Sequence, residues 1–136
     1  MRCLGTHLLL EMSGCDPRLL DSTEEVRTAL LRAATRAKAT VLGNSFHRFS
    51  PQGVSGVVVI AESHLSIHTW PEYGYAAVDV FTCGDQAMPH RAAEYLIEAL
   101  APARHELREL PRGLPGEHPR DTCHRSACHA EQRTWM

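Results

Sequence analysis

Between Thr40 and Thr82 the chain passes through five short runs rich in Val, Ile, Thr and Phe: Thr40 to Leu42, Ser45 to Phe49, Gly56 to Ala61, Ser66 to Thr69 and Ala76 to Thr82. Runs of that length and composition read as strands. Pro51-Gln52-Gly53 and Pro71-Glu72-Tyr73-Gly74 supply turns between them. The unbroken apolar run Val57-Val58-Val59-Ile60 predicts a strand covered on both faces or lying at a sheet centre. Ahead of this block, Leu4 to Met12 reads as a first strand interrupted by His7 and Glu11, and Asp16-Pro17 breaks it. Ser22 and Glu25 have capping-box spacing, and Val26, Leu30, Ala33, Ala34 and Ala37 then recur at helical intervals. A helix from about Thr23 to Lys38 is predicted. A second helix spans about Pro89 to Leu100, with proline acceptable in its first turn, and Arg104 to Leu110 forms a last strand. The order β-α-β-β-β-β-α-β implies an α+β fold: a two-layer sandwich, mostly antiparallel, with helices on one face of the sheet.

With 136 residues the chain suffices for one ordinary domain. Residues 1–111 are predicted to form it. From Pro111 onward Pro and Gly crowd the chain and large apolar residues become scarce, so residues 112–136 read as a flexible tail. A formal net charge of −2 gives no electrostatic reason to expect nucleic acid or an acidic membrane surface as partner. No apolar run approaches the roughly 18–20 residues that span a bilayer. The start, Met1 to His7, lacks the apolar core of an export signal, and five cysteines (Cys3, Cys15, Cys83, Cys123, Cys128) then read as free thiols. A cytoplasmic location is the expectation. The tail holds His118, Cys123-His124 and Cys128-His129, but Cys-x4-Cys is wider than the usual zinc knuckle, so no metal site is assigned.

The chemistry-bearing stretch is Glu62-Ser63-His64-Leu65-Ser66-Ile67-His68-Thr69-Trp70-Pro71-Glu72. Taken alone, a Ser with a His five residues on is most simply a pair of polar residues on a strand edge. Ser63, however, ends a strongly apolar strand, and Asp79-Val80-Phe81-Thr82-Cys83-Gly84 puts a thiol at the end of another. Around these residues the chain resembles the small prokaryotic S-adenosylmethionine decarboxylases. The matching blocks are Leu4 to His7, Phe46 to Phe49, Gly53 to Ile60, Glu62 to Glu72, Tyr73 to Ala77 and Asp79 to Gly84, across roughly residues 3–113.

That resemblance implies a proenzyme that cuts itself. The hydroxyl of Ser63 attacks the carbonyl of Glu62, the acyl group moves from nitrogen to oxygen, and elimination then severs the chain. The products are a β chain, residues 1–62, and an α chain, residues 63–136, headed by a pyruvoyl group made from Ser63. By the same resemblance His68 is the base for the elimination, and Ser55 hydrogen-bonds the oxyoxazolidine intermediate. Pyruvoyl is the cofactor: it forms a Schiff base with the amine of S-adenosylmethionine, and Cys83 reprotonates the product carbon. Phe49, Trp70 and Glu72 are the candidate substrate-binding residues, the aromatics for adenine or sulfonium and the carboxylate for ribose or sulfonium. The family also implies a homodimer of αβ units with sites between protomers, and a role in spermidine synthesis. The plainer readings are a strand histidine for His68, a turn residue for Ser55, a core thiol for Cys83, core aromatics for Phe49 and Trp70, and a solvated turn residue for Glu72.

Three rival readings remain open at this level. A decarboxylase of the same fold would keep the pyruvoyl machinery and act on arginine or ornithine, although Phe49, Trp70 and Glu72 favour the adenosyl substrate. A zinc-binding module would rest on the tail, and a non-cleaving partner subunit is disfavoured by intact Ser63 and His68.

Overall fold

The computed structural model describes residues 3–84 and 86–113. Its first strand, β1 (Gly5–Ser13), alternates in burial, with Leu8, Leu10 and Met12 fully buried and His7, Leu9 and Glu11 on the other face. Asp16-Pro17, expected only to stop this strand, also starts a short helix, α1 (Pro17–Leu20). Asp16 caps it by accepting from the Arg18 amide, and Pro17 sits where a missing N–H costs nothing.

Ser22 then accepts from the Glu25 amide and opens α2 (Thr23–Arg36). This helix ends two residues short of the expected Lys38, because Ala37 caps it and Lys38 takes a left-handed φ of 58°. Its buried stripe is small: Ala29, Ala33 and Ala34 lie beside Val26 and Leu30. Alanines let a helix approach its neighbours closely, and α3 (Pro89–Leu100) answers with Ala92 and Ala93 beside Leu96.

Thr40–Leu42 and Ser45–Phe49, expected as separate runs, form one strand, β2 (Thr40–Arg48), joined through an irregularity between Val41 and Gly43. An extra residue there keeps the pairing continuous while shifting the register. The remaining strands are β3 (Val54–Ala61), β4 (Ser63–Trp70), β5 (Tyr75–Cys83) and β6 (Arg104–Arg112), and a 3-10 turn at Pro71–Tyr73 joins β4 to β5. β3, β4 and β5 are each longer than their expected runs, since polar ends such as Ser63 and Cys83 still pair in the ladder.

The six strands form one sheet in the order β2-β3-β4-β5-β1-β6, and all five neighbouring pairs are antiparallel. The core lies between this sheet and α2 and α3, where Leu8, Leu10, Leu65, Ile67 and Val80 are fully buried. Burying each such side chain contributes about 1.5–3 kcal/mol before chain entropy is counted. Among the described residues the opposite sheet face carries no helix. Of the two expectations for Val57–Ile60, a place inside the sheet holds, since β3 lies between β2 and β4, whereas cover on both faces does not, since Val59 remains 43% exposed. Ser66, His68 and Trp70 of β4 and Asp79 of β5 alternate with the buried residues and so project on that open face.

Cys3, Cys15 and Cys83 are free thiols, whereas Cys123, Cys128 and the other tail residues from 114 onward lie outside the described residues. Among the described residues no helix is long and apolar enough to cross a membrane, and no cluster of His, Cys, Asp or Glu is disposed to hold a metal ion.

Candidate active site

Ile60 of β3 pairs directly with Ser63 of β4, so only Ala61 and Glu62 turn the hairpin between them. Closing so tight a turn holds Ser63 at a φ of 104°, a region that side-chain-bearing residues rarely occupy and that costs of order 1–3 kcal/mol. The strain sits on the peptide unit that follows the Glu62 carbonyl. That carbonyl accepts a hydrogen bond from the Cys83 amide at 3.3 Å, because β5 runs alongside with Thr82 opposite Ser63. The Ser63 hydroxyl is half-buried, 3.4 Å from Nδ1 of His64. Gly5 makes room for this corner. A Cβ there would lie 3.2 Å from the Cys83 sulfur and 2.8 Å from the Phe81 ring, closer than packed atoms sit.

At the other end of β4 is a second cluster. Ser55 on β3 stands opposite His68, and its hydroxyl lies 2.8 Å from Nδ1 of the ring. That bond fixes the imidazole's orientation. Beside it opens a pocket of about 240 Å³. Phe49, Ser55, His68, Trp70 and Glu72, all expected at the site, line it, joined by Gln52, Gly53 and Thr69. Phe49 and Trp70 are 47% and 41% exposed, which sets aside the core reading for both. Glu72 is not simply solvated, since Gln52 donates to it.

The expected residues thus fall into two groups. Glu62, Ser63 and Cys83 meet at one end of β4; Ser55, His68, Phe49, Trp70 and Glu72 meet at the other. Ser63 and His68 are five residues apart on one extended strand, about 17 Å at roughly 3.3 Å per residue. A single chain does not bring its own His68 to its own Ser63.

Between the groups, on the helix-free face, runs a polar chain that sequence reading left out. Arg112 lies 3.0 Å from Nδ1 of His7, and since arginine only donates, Nδ1 accepts. Nε2 then carries the proton and donates to Asp79 at 3.0 Å, while Ser66 donates to the other Asp79 oxygen at 3.2 Å. Arg112, His7 and His64 also surround the Phe81 ring, the first at 5.3 Å from its centre. Nearby, the Tyr75 hydroxyl donates to Glu11; burial first, and then the Glu11 carboxylate, push that phenol up to about 12. The available signal was His7 and Asp79 as polar positions on the face opposite Leu8, Leu10 and Val80.

The profile of the family described as S-adenosylmethionine decarboxylase matches residues 6–113, all but the first three of the described residues. The chain belongs to that family. Among its relatives is the "S-adenosylmethionine decarboxylase proenzyme" of Thermodesulfovibrio yellowstonii, 50% identical over 131 residues and 96% of both chains. The proenzyme of Thermosipho africanus is 53% identical over 113 residues, 83% of this chain and 87% of its own. Among solved structures, the adenosylmethionine decarboxylase of Aquifex aeolicus superposes with a TM-score of 0.81 at 41% identity, covering 87% of this chain and 98% of that one. A Trypanosoma brucei AdoMetDC monomer shares the fold alone, with a TM-score of 0.57 at 15% identity over 75% of this chain and 44% of its own. The α+β fold is therefore that of an S-adenosylmethionine decarboxylase.

Proposed function

We propose that this chain is a proenzyme that cuts itself between Glu62 and Ser63 and then decarboxylates S-adenosylmethionine, the step that provides the aminopropyl donor for spermidine. One observation carries the reading: the strained Ser63 follows a carbonyl already gripped by the Cys83 amide. An amide resists exchange for an ester, and strain relief together with a donor aimed at the developing oxyanion both act against that resistance.

The Ser63 oxygen adds to the Glu62 carbonyl carbon, and the C–N bond breaks to leave an ester and a free amine. A base takes the Cα proton of residue 63, the ester C–O bond breaks, and Glu62 leaves as a carboxylate. The dehydroalanine at position 63 takes up water and releases ammonia, leaving pyruvoyl at the head of residues 63–136. That group supplies an electron sink for the carbon–carbon bond that breaks as carbon dioxide departs. Cys83, next to the cut, is placed to return a proton to the substrate carbon.

His68 is the base, and the 17 Å along β4 makes it a partner's His68. A homodimer packed through the helix-free faces about a two-fold axis would bring the His68 end of one β4 over the Ser63 end of the other. Ser55 orients that histidine and donates to the tetrahedral intermediate. Phe49, Trp70 and Glu72 then receive the adenosyl and sulfonium parts of the substrate, the aromatic faces attracting the cation.

Intact-mass measurement tests this. Wild type should give two chains, 1–62 and 63–136, the second without a free N-terminal amine, and Ser63→Ala one chain. Carbon dioxide release is then compared for S-adenosylmethionine, arginine and ornithine. A wild-type chain that stays whole defeats the proposal.

A further inference from the structure

One wall of the pocket beside His68 is a loop, residues 49–53, and that loop is held from behind. Phe49 and Gln52 are its side chains on the pocket. The Phe49 amide donates to the Gly53 carbonyl at 2.8 Å, closing the loop on itself. The Gln52 amide donates to Glu72 at 2.5 Å, so the same loop sets where the Glu72 carboxylate points.

Behind the loop stands Asp21, between α1 and α2. Its Oδ1 accepts from the Gly53 amide at 2.9 Å, and its Oδ2 accepts from Arg48 at 2.8 Å. Arg48 also donates Nε to the Asp21 carbonyl at 3.2 Å and reaches the Pro51 carbonyl at 3.4 Å. Beside them the buried Thr69 hydroxyl donates to the Leu20 carbonyl at 2.7 Å and accepts from the Val54 amide at 2.9 Å. The Arg48 bond, then the Gly53 amide, hold the Asp21 carboxyl below its ordinary range. A lone ion pair with side chains 47% and 30% exposed would contribute little. Here one carboxylate grips both the loop's last amide and the arginine that enters it.

We propose that Asp21 and Arg48 are positioning residues for the substrate: they set the height of the 49–53 loop, hence of Phe49 and, through Gln52, of Glu72. The inference rests on reading this pocket as the substrate site. Neither Asp21 nor Arg48 lines the pocket, so their influence reaches the substrate only through the loop. Contacts of that kind hold the adenosyl end equally in ground and transition states. Loosening them raises KM and leaves kcat alone.

The test uses the processed enzyme with three substitutions, Asp21→Ala, Asp21→Asn and Arg48→Lys. In Asp21→Ala, KM for S-adenosylmethionine should rise roughly tenfold, with kcat and self-cleavage rate within about twofold of wild type. Asp21→Asn keeps Oδ1 for Gly53 and should fall between. Amide deuterium exchange in residues 49–53 should accelerate without change in the central strands. Faster exchange with KM unmoved overturns the proposal, and so does a kcat loss matching the KM change. If Asp21→Ala does not fold, the same split is read from Asp21→Asn and Arg48→Lys. If wild type releases no carbon dioxide from S-adenosylmethionine, the functional reading fails separately, and unchanged exchange in the variants would still refute the clamp.

Discussion

The Cys83 amide donates to the Glu62 carbonyl across 3.3 Å, so one residue presents both a backbone donor to the bond to be cut and a thiol beside it. These two groups separate by mutation. Cys83→Ala keeps the amide and loses the sulfur. It should still give two chains at a rate within a few-fold of wild type, while decarboxylation falls roughly 10²–10⁴-fold. Gel analysis and carbon dioxide release check the two halves, and an alanine variant that stays uncut would move the thiol into the cleavage step.

Because Ser63 and His68 sit at opposite ends of β4, each should work with the other's counterpart in a partner chain. Ser63→Ala and His68→Ala precursors should each remain whole when made alone. Made together, mixed pairs would unite an intact Ser63 with an intact His68, and a fraction of the His68→Ala chains should be cut. Mass spectrometry distinguishes the two by sequence. Cleavage of His68→Ala alone would remove His68 from the role.

Tyr75 predicts loss of stability in alkali. Its folded value of about 12 lies above the roughly 10 of an unfolded tyrosine, so its contribution is complete below pH 10 and drains away as pH rises towards 12. Tyr75→Phe should flatten the fall of the denaturation midpoint in that window. Asp21 has the opposite sign: its carboxyl is depressed by Arg48 and then Gly53, so its contribution is present above the ordinary carboxylate range and lost as pH falls through the depressed one. Asp21→Asn should blunt the acid limb.

Gly56 on β3 lies under the ring of Phe46 on β2, and a Cβ added there runs into that ring. Gly56→Ala should cost about 1–3 kcal/mol through displaced packing. Combined with Phe46→Leu it should cost less than the sum of the single changes, since both act on one contact. Thermal melting of the four proteins measures the coupling, and strict additivity would count against it.

Local features were legible in the chain. Ser22 and Glu25 mark the start of α2 because a cap is made by residues three apart, and the apolar runs mark strands because burial alternates along them. The Glu62-Ser63-His64 block and Cys83 were found by resemblance, and the structure puts them side by side. Bonds such as Asp21 to Gly53 and His7 to Asp79, 32 and 72 residues apart, depend on strand register and helix placement that no local spacing encodes. The short helix after Asp16 and the irregularity that merges β2 escaped because proline and glycine permit several outcomes, and packing selects among them.

By itself, the order of residues determined the chemistry available: a serine at a strand end, a histidine, a thiol, two aromatics and a carboxylate. Only the folded sheet decided where they meet. Ser63 and His68 look like neighbours when counted along the chain, but an extended strand spends its length in one direction and carries them about 17 Å apart. Pairing of β4 with β5 restored proximity for Cys83 alone, because hydrogen-bonded strands lie under 5 Å from one another.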